Sequence, residues 1–442
     1  MKPRVAKGTR DFSAQEVAKR HYVMSVLRKA FERFGYSPLE TPSFENLETL
    51  MGKYGEEGDR LIFKILRSGD FMKHAESDVP KASEIADKAL RYDLTVPFAR
   101  YVVQNAGQLA MPYKRYQMQP VWRADNPQKG RFREFYQCDA DVVGSQSLWQ
   151  EVELVHLYQA AFDALNLPVT IRLNNRKVLA GMAEVSGVGD RLVAFTVALD
   201  KLDKIGVEGV VNELLSKEFT LEEIEKLKPA MQSFATTNES IAFLRTWLSD
   251  SEIGIKGVEE LTFVLDHAGN APLIIDITLA RGLNYYTGCI LEVSANEVQM
   301  GSVGGGGRYD DLTGIFGLHD VSGVGVSFGL DRILLCLEEL HRLPNTLESA
   351  PKALVFHMDT DQAKEGYQLT AYLRKAGISV DFYPEPAKWK KQFDFAEKRG
   401  IPFALLYGEE EMKQGVVQVK ELRTGDQEAI RYVDLAAHLA TR

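Results

Sequence analysis

Cysteine is scarce in this chain, with three in 442 residues (Cys138, Cys289 and Cys336), no CxxC and no spacing that suggests partners. An odd, scattered set excludes a disulfide framework and reads as reduced, core-type thiols. The eight histidines are equally dispersed and no HExxH occurs, so no protein-held metal site is expected. No run of ~18 apolar residues offers a membrane span. The opening MKPRVAKGTRDF lacks the apolar stretch of a signal peptide, so a cytoplasmic protein is expected. Low-complexity tracts are missing too, and 45% apolar with 26% charged residues is an ordinary globular balance. At 442 residues the chain is too long for one ordinary core and calls for more than one domain. Positive charge is not in excess either. The net charge of −9 at first disfavours a polyanionic partner. Charge is local, however, and Lys114, Arg115, Arg123, Lys129, Arg131 and Arg133 cluster within residues 113–133 around a single acid, Asp125. Such a basic island suits one polyanion at one place; a merely solvated turn is the duller alternative.

Ser13 to Phe34 has helical spacing at Val23, Val26, Leu27, Ala30, Phe31 and Phe34, a capping-box pair at Ser13 and Glu16, and Gly35 at the C-cap position. GYSPLETPSFE follows, its prolines bracketing a short edge strand. Tyr113 to Val143 carries the clearest strand signal, two alternating arms around a turn at Asn126–Gly130. Period-2 counting puts Arg131, Arg133, Phe135, Gln137, Asp139 and Asp141 on one face, and Phe132, Tyr136, Cys138, Ala140 and Val142 on the other. On the opposite arm Arg115, Gln117, Gln119 and Arg123 share a face. So many hydrogen-bonding groups on one side favour a ligand floor over a plain solvent face. Residues 177–267 turn to Leu, Lys and Glu at helical spacing, which predicts a helical insertion in a domain spanning 1–345. After the connector LPNTLESAP, strand-like ALVFHM, ISVDFY and FALLYG alternate with helix-like segments, predicting a small α/β domain over 350–442.

GVGVSFG (Gly323–Gly329) imitates a dinucleotide fingerprint, but it is GxGxxxG with no acidic residue at ribose distance. Its glycines are better read as a strand passing close to its neighbours. Gly304–Gly307 lacks the Lys-Ser/Thr of a P-loop. Four successive glycines lose much backbone entropy on folding, so they mark either a close approach of backbone to ligand or a flexible loop.

Taken in order, ETPSFE, WRADNPQKGRFREFYQCDADVVG and GVGVSFGLDRI resemble motifs 1, 2 and 3 of the class II aminoacyl-tRNA synthetases. KGTRDF, LRYDLTVPFARY (Leu90–Tyr101) and LARGLNYYTG (Leu279–Gly288) resemble the histidyl branch, accompanied by GGGGRYDDL. LRKAGISVDFY and AEKRGIPFALLYGEEE are similar to that family's anticodon-binding domain. Asn284 stands where Asp is common in the family. The resemblance implies an α+β catalytic core built on an antiparallel sheet, a helical insertion and a C-terminal α/β anticodon-binding domain. It implies activation of L-histidine with ATP, transfer to tRNA(His), and a homodimer. A regulatory subunit of ATP phosphoribosyltransferase shares the catalytic fold but usually lacks both the last domain and the ARGLNYYTG signature. Class II enzymes for threonine, proline or glycine would need a different amino-acid pocket.

By the same resemblance, Arg123, Arg281 and Arg332 are the catalytic cations. ATP would be held by Arg123, Asp125, Arg131, Phe135 and Arg332, with Phe135 stacked on adenine and Mg²⁺ on the outer phosphates. Histidine would meet Asp93, Thr95 and Gln137 through its amine, Asp141, Tyr285 and Tyr286 around its imidazole, and Arg281 through its carboxylate. Asp93 and Thr95 are taken as neighbours on one face of a strand-like segment. Gln128 and Lys129 at the hairpin tip would meet tRNA. Arginine suits the reaction because a carboxylate must attack a phosphate, and fixed forked cations let two anions approach.

Overall fold

The computed structural model describes residues 2–73, 75, 79–280, 286–344, 347 and 350–442, side chains of 55–57 aside. The chain divides into two compact units, residues 1–11 with 20–343 and residues 12–19 with 344–442.

The first unit is organised by an eight-stranded sheet. Its order is Ser37–Pro38, Tyr113–Trp122, Glu134–Val143, Gly323–Gly329, Gly304–Tyr309, Cys289–Ala295, Val169–Asn175, Leu273–Ile275. Pairing is antiparallel inside the sheet and parallel only at its two edges. Cys138, Ala140 and Val142 point to the core, where the helix Ala14–Arg33 packs Val23, Leu27 and Phe31 against them and against Tyr116 and Phe328. That helix starts as its sequence requires, with the Ser13 amide donating to Glu16 at 2.7 Å and Gly35 at φ +79° beyond its end. A smaller sheet of Phe44–Asn46, Ala86–Leu90 and Lys64–Leu66 lies in the same unit.

The glycine cluster is an ordered central strand, not a flexible loop. Gly304–Tyr309 runs antiparallel between Cys289–Ala295 and Gly323–Gly329. A Cβ on Gly306 would stand 2.1 Å from the Gly325 carbonyl oxygen. Here glycine serves close packing of backbones. Arg308, at the end of this strand, is buried and grips Glu151 through Nε and Nη2 at 2.5 and 2.6 Å.

After Asn175 the chain leaves the sheet for helices Arg176–Val185, Leu192–Leu199, Leu202–Ser216, Leu221–Leu227, Thr237–Trp247 and Glu252–His267, then returns at Leu273. Gly257 lets two of them touch, since a Cβ there would meet the Val178 nitrogen at 2.7 Å.

The second unit holds a five-stranded sheet in the order Val380–Phe382, Ala353–Phe356, Phe403–Leu406, Val416–Glu421, Gln427–Arg431. The first three are parallel. Ala353 and Val355 enter one core while Leu354 and Phe356 enter another. Burial on both faces explains the unbroken apolar run ALVF.

Candidate active site

Two cavities of about 300 and 290 Å³ share a wall of Arg123, Phe135, Tyr136, Ser302, Gly329 and Arg332. The first is floored by Phe135, Gln137, Asp139 and Asp141, the polar face of one hairpin arm, with Gly304–Gly306 and Gly325–Gly329 beside them. Asp93, Thr95, Tyr286 and Tyr309 complete it. The second is lined by Asp125, Gly130, Arg131, Phe132 and Asp331. Of the residues expected around histidine, Asp93, Thr95, Gln137, Asp141 and Tyr286 therefore surround one space. Arg123, Phe135 and Arg332 border both cavities, and Asp125 and Arg131 border the other. Arg281, Asn284 and Tyr285 lie outside the described residues. Gln128 and Lys129 line neither cavity. The Lys129 side chain is 73% exposed, with Glu339 3.7 Å away.

Two expectations about local structure are corrected. Asp93 and Thr95 do not share a strand. The strand ends at Leu90, and Thr95 begins the helix Thr95–Asn105. Asp93 accepts from the Val96 amide at 3.1 Å, so its carboxylate satisfies a helix-start N–H. Pro97 within the first turn is compatible with this, because its missing N–H needs no partner there. The hairpin alternation also stops short of the tip. The arm begins at Glu134; Arg131 is bridged to Gln128 instead, and Gly130 turns the chain at φ +72°. Arg133 is drawn off the expected face: its amide donates to Gly8 O at 2.8 Å and its Nε to Asp125 O at 3.1 Å. Loop carbonyls, not a ladder, decide these directions. Tyr136, expected on the apolar face, also borders both cavities, with Arg20 over its ring at 5.1 Å.

Each buried carboxylate has a defined support. Asp141 accepts from the Tyr309 hydroxyl at 2.6 Å, and its Oδ2 stands 2.8 Å from Nη2 of the wholly buried Arg115. That contact is an ion pair without hydrogen-bond alignment, since Asp141 Oδ2 makes no hydrogen bond among the described residues. Asp93 Oδ1 also accepts from Tyr54 Oη at 3.0 Å. Burial raises the pKa of Asp93, Asp139 and Asp141, and Arg115 opposes the rise in all three. Asp139, with Asp141 next to it on the floor, is pushed up to about 7.

Asp93 Oδ2 and Gln137 Oε1 are buried acceptors with no donor among the described residues, and Asp141 Oδ2 has only its ion pair with Arg115, whose own Nε and Nη1 are likewise buried without a hydrogen bond among the described residues. Such orphaned acceptors are rare in folded proteins and call for a ligand rich in N–H. At the shared wall the chemistry reverses. The Arg123 guanidinium lies over the rings of Tyr92 and Phe135 at 4.3 and 5.3 Å, with Nε on Tyr92 O at 3.0 Å. Arg332 is fixed by Gly130 O at 3.3 Å and Ser302 O at 2.7 Å. Behind it, Asp331 binds Arg10 and Arg20 at 2.5 and 2.7 Å. The arrangement offers acceptors that suit a small cationic amine at one end, and at the other fixed cations beside an aromatic surface that suit anionic oxygens. Among the described residues no group of three or more His, Cys, Asp or Glu could hold a metal ion, and no helix is long and apolar enough to cross a membrane.

Tyr54, Arg115, Asp139 and Tyr309 were not expected as site residues. The alternation placed Arg115 and Asp139 on the right face, but their pairing needs the register Arg115↔Asp141 and Gln117↔Asp139. Tyr54 carried no local signal, and Tyr309, although inside GGGGRYDDL, had nothing to link it to Asp141, which lies on a different strand.

The profile of the histidyl-tRNA synthetase family matches residues 8–333, and that of the anticodon-binding domain matches 352–442. The chain is 54% identical to a histidine–tRNA ligase of Christiangramia forsetii, covering 99% of each. It is 53% identical to one of Flavobacterium johnsoniae, covering 98% of each. The crystal structure of histidyl-tRNA synthetase from a Nostoc species superposes with a TM-score of 0.81 at 30% identity over 100% of both chains. With both its profiles and its near-full-length relatives agreeing, the chain belongs to the histidyl-tRNA synthetase family.

Proposed function

We propose that this protein joins L-histidine to the 3′ end of tRNA(His) in two steps, activation with ATP to histidyl-adenylate and then transfer. The observation that supports this most is the pair of orphaned acceptors, Asp93 Oδ2 and Gln137 Oε1, near Asp141 at the end of a cavity that continues past Arg123. An α-ammonium would take Asp93, Thr95 and Gln137. An imidazole N–H would reach Asp141, with Tyr286 across the ring. An apolar side chain in the same place would bury Asp141 without offering it an N–H, which disfavours such a substrate.

The nucleotide would stack on Phe135, with Arg123 at the α-phosphate and Arg131 and Arg332 toward the outer phosphates. Arg123 is already held between Tyr92 and Phe135, so little reorganisation accompanies the charge that develops at phosphorus. Arg281 would join the carboxylate to the α-phosphate. Mg²⁺ would come on the nucleotide's own phosphates.

For transfer, the terminal hydroxyl of tRNA would enter beside the exposed tip at Gln128 and Lys129, and the residues matching the anticodon-binding profile would engage the anticodon. A cytoplasmic homodimer is proposed on family resemblance. ATP–pyrophosphate exchange with each of the twenty amino acids tests the reading. Exchange with histidine alone is expected, and exchange with none, or with another amino acid, would overturn it.

A further inference from the structure

Asp139 is a buried carboxylate on the cavity floor that the mechanism above does not use. It sits in the ladder between Gln117 on one neighbouring strand and Ser327 on the other, two residues from Gln137 on the same face. Gln137 Nε2 lies 3.4 and 3.5 Å from the two oxygens of Asp139 and 3.4 Å from Ser327 Oγ. Its other amide atom, Oε1, is buried and without a donor among the described residues. A carboxylate has no proton to give, so an ionised Asp139 can face only the NH₂ end of that amide. The carbonyl end is thereby left toward the cavity, which Gln137 also lines. The distances are long, as such bonds often are before a ligand draws them in.

We infer that Asp139 is a positioning residue that fixes the orientation of the Gln137 amide, so that Oε1 rather than Nε2 meets the α-ammonium of the amino-acid substrate. This rests on the reading of Gln137 as an amine ligand. A wrongly turned amide would point N–H groups at an ammonium, turning an attraction into a repulsion. Two adjacent cavity carboxylates also cost desolvation that a purely structural floor would avoid, since burial raises both Asp139 and Asp141.

The groups around Asp139 bear on how its ionisation is felt. Gln137 and Asp141 share its strand, Arg115 and Gln117 come from one neighbour, and Ser327 from the other. Asp93, Tyr158 and Tyr286 act on it electrostatically from farther elements. Arg115 favours the ionised form, while burial, Asp141 and Asp93 oppose it, leaving it at about 7.

The test compares Asp139→Asn with wild type in pyrophosphate exchange, using 3-(imidazol-4-yl)propionate, which lacks the amine, as a competitive probe. Asn can present either amide atom, so orientation is lost at nearly constant shape. The KM for histidine should rise about tenfold, in line with losing one buried hydrogen bond to a charged group. The Ki of the des-amino probe and the KM for ATP should move less than about twofold. The ratio of variant to wild-type KM should also shrink toward one as pH falls from about 8 to about 6, because protonating Asp139 frees the amide in the wild type; taking a ratio cancels the titration of histidine itself. Equal shifts for histidine and the probe would mean a merely structural Asp139. A flat ratio across that pH range, or an unchanged histidine KM, would also overturn the proposal. Gln137→Leu separates the two layers. If it leaves the histidine KM unchanged, the amine-ligand reading falls and this one with it. If it raises KM while Asp139→Asn does not, only the positioning role is refuted.

Discussion

Replacing Asp141 by Leu should do two separable things, and their sizes follow from its neighbours. Arg115 is fully buried, its Nη2 2.8 Å from Asp141 Oδ2. It also donates to Leu94 O at 3.3 Å, lies with its guanidinium carbon 4.4 Å from the Phe98 ring, and acts electrostatically on Asp139 and Asp93. Removing the carboxylate takes away the only one 2.8 Å from that cation among the described residues, and breaking one side of a buried pair costs about 3–5 kcal/mol. The Tyr309 hydroxyl loses its acceptor as well, adding about 1 kcal/mol. Against a total stability of about 5–15 kcal/mol this is large. At about 2–4 °C per kcal/mol for domains of 150–250 residues, and less for a larger unit, Tm should fall by about 5 °C or more. Histidine-dependent exchange should drop by far more than the unfolded fraction explains, with ATP binding retained. The double variant Arg115→Met/Asp141→Leu removes both charges and should recover most of the lost Tm, because an apolar pair can replace a buried ion pair at little cost. It should remain poor in histidine use. Thermal melts beside exchange kinetics on the four chains of this cycle decide the matter. A single variant that melts like wild type, or a double variant that regains activity along with Tm, would refute the reasoning.

Lys129→Ala should leave Tm unchanged, since its pair with Glu339 is exposed on both sides. It should spare adenylate formation while lowering transfer and flattening the salt dependence of tRNA binding. Arg131→Ala, from the second cavity, should slow adenylate formation itself; equal losses of both steps in both variants would show that the tip is only structural. Arg281→Ala should slow single-turnover adenylate formation by about 10²–10³ with little change in histidine KM, as for loss of one charge-stabilising donor. Should that variant prove stable and fully active, Arg281 leaves the mechanism. For Asp139→Asn the stability prediction has a definite sign. The folded pKa of Asp139 is raised to about 7 from an ordinary Asp value of about 4. Its favourable contribution is complete below the lower value and lost as pH rises through the higher one. Melts should therefore show the Asn variant gaining on wild type from about pH 4 to about pH 7, with a constant advantage above. A gain in the opposite direction would mean that Asp139 is stabilised as an anion.

Much of this protein is set by local pattern. The helix Ala14–Arg33 with its Ser13–Glu16 cap, the hairpin, and the alternating elements after residue 352 follow from periodicity and end signals. These depend on neighbours within a few residues. The cavity floor was legible for the same reason, because period 2 along Phe135, Gln137, Asp139 and Asp141 holds wherever a strand is regular. It failed at Arg131 and Arg133, where the strand had ended and loop carbonyls took over. Asp93 and Thr95 line one cavity but were wrongly housed: two residues apart serves a strand, yet Asp93 lies just outside a helix and accepts from one of its amides. The glycine strand could not be told from a loop, because its reason is the 2.1 Å that a Cβ on Gly306 would leave to Gly325 O, a distance between segments. Which carboxylate is paired, which amide end is free and which acceptors stay empty are likewise properties of side chains meeting from Tyr54, Arg115, Tyr309 and Ser327. One-dimensional spacing specifies the face a residue presents; only the folded sheet, through register and burial, decides what that face meets and what charge it keeps.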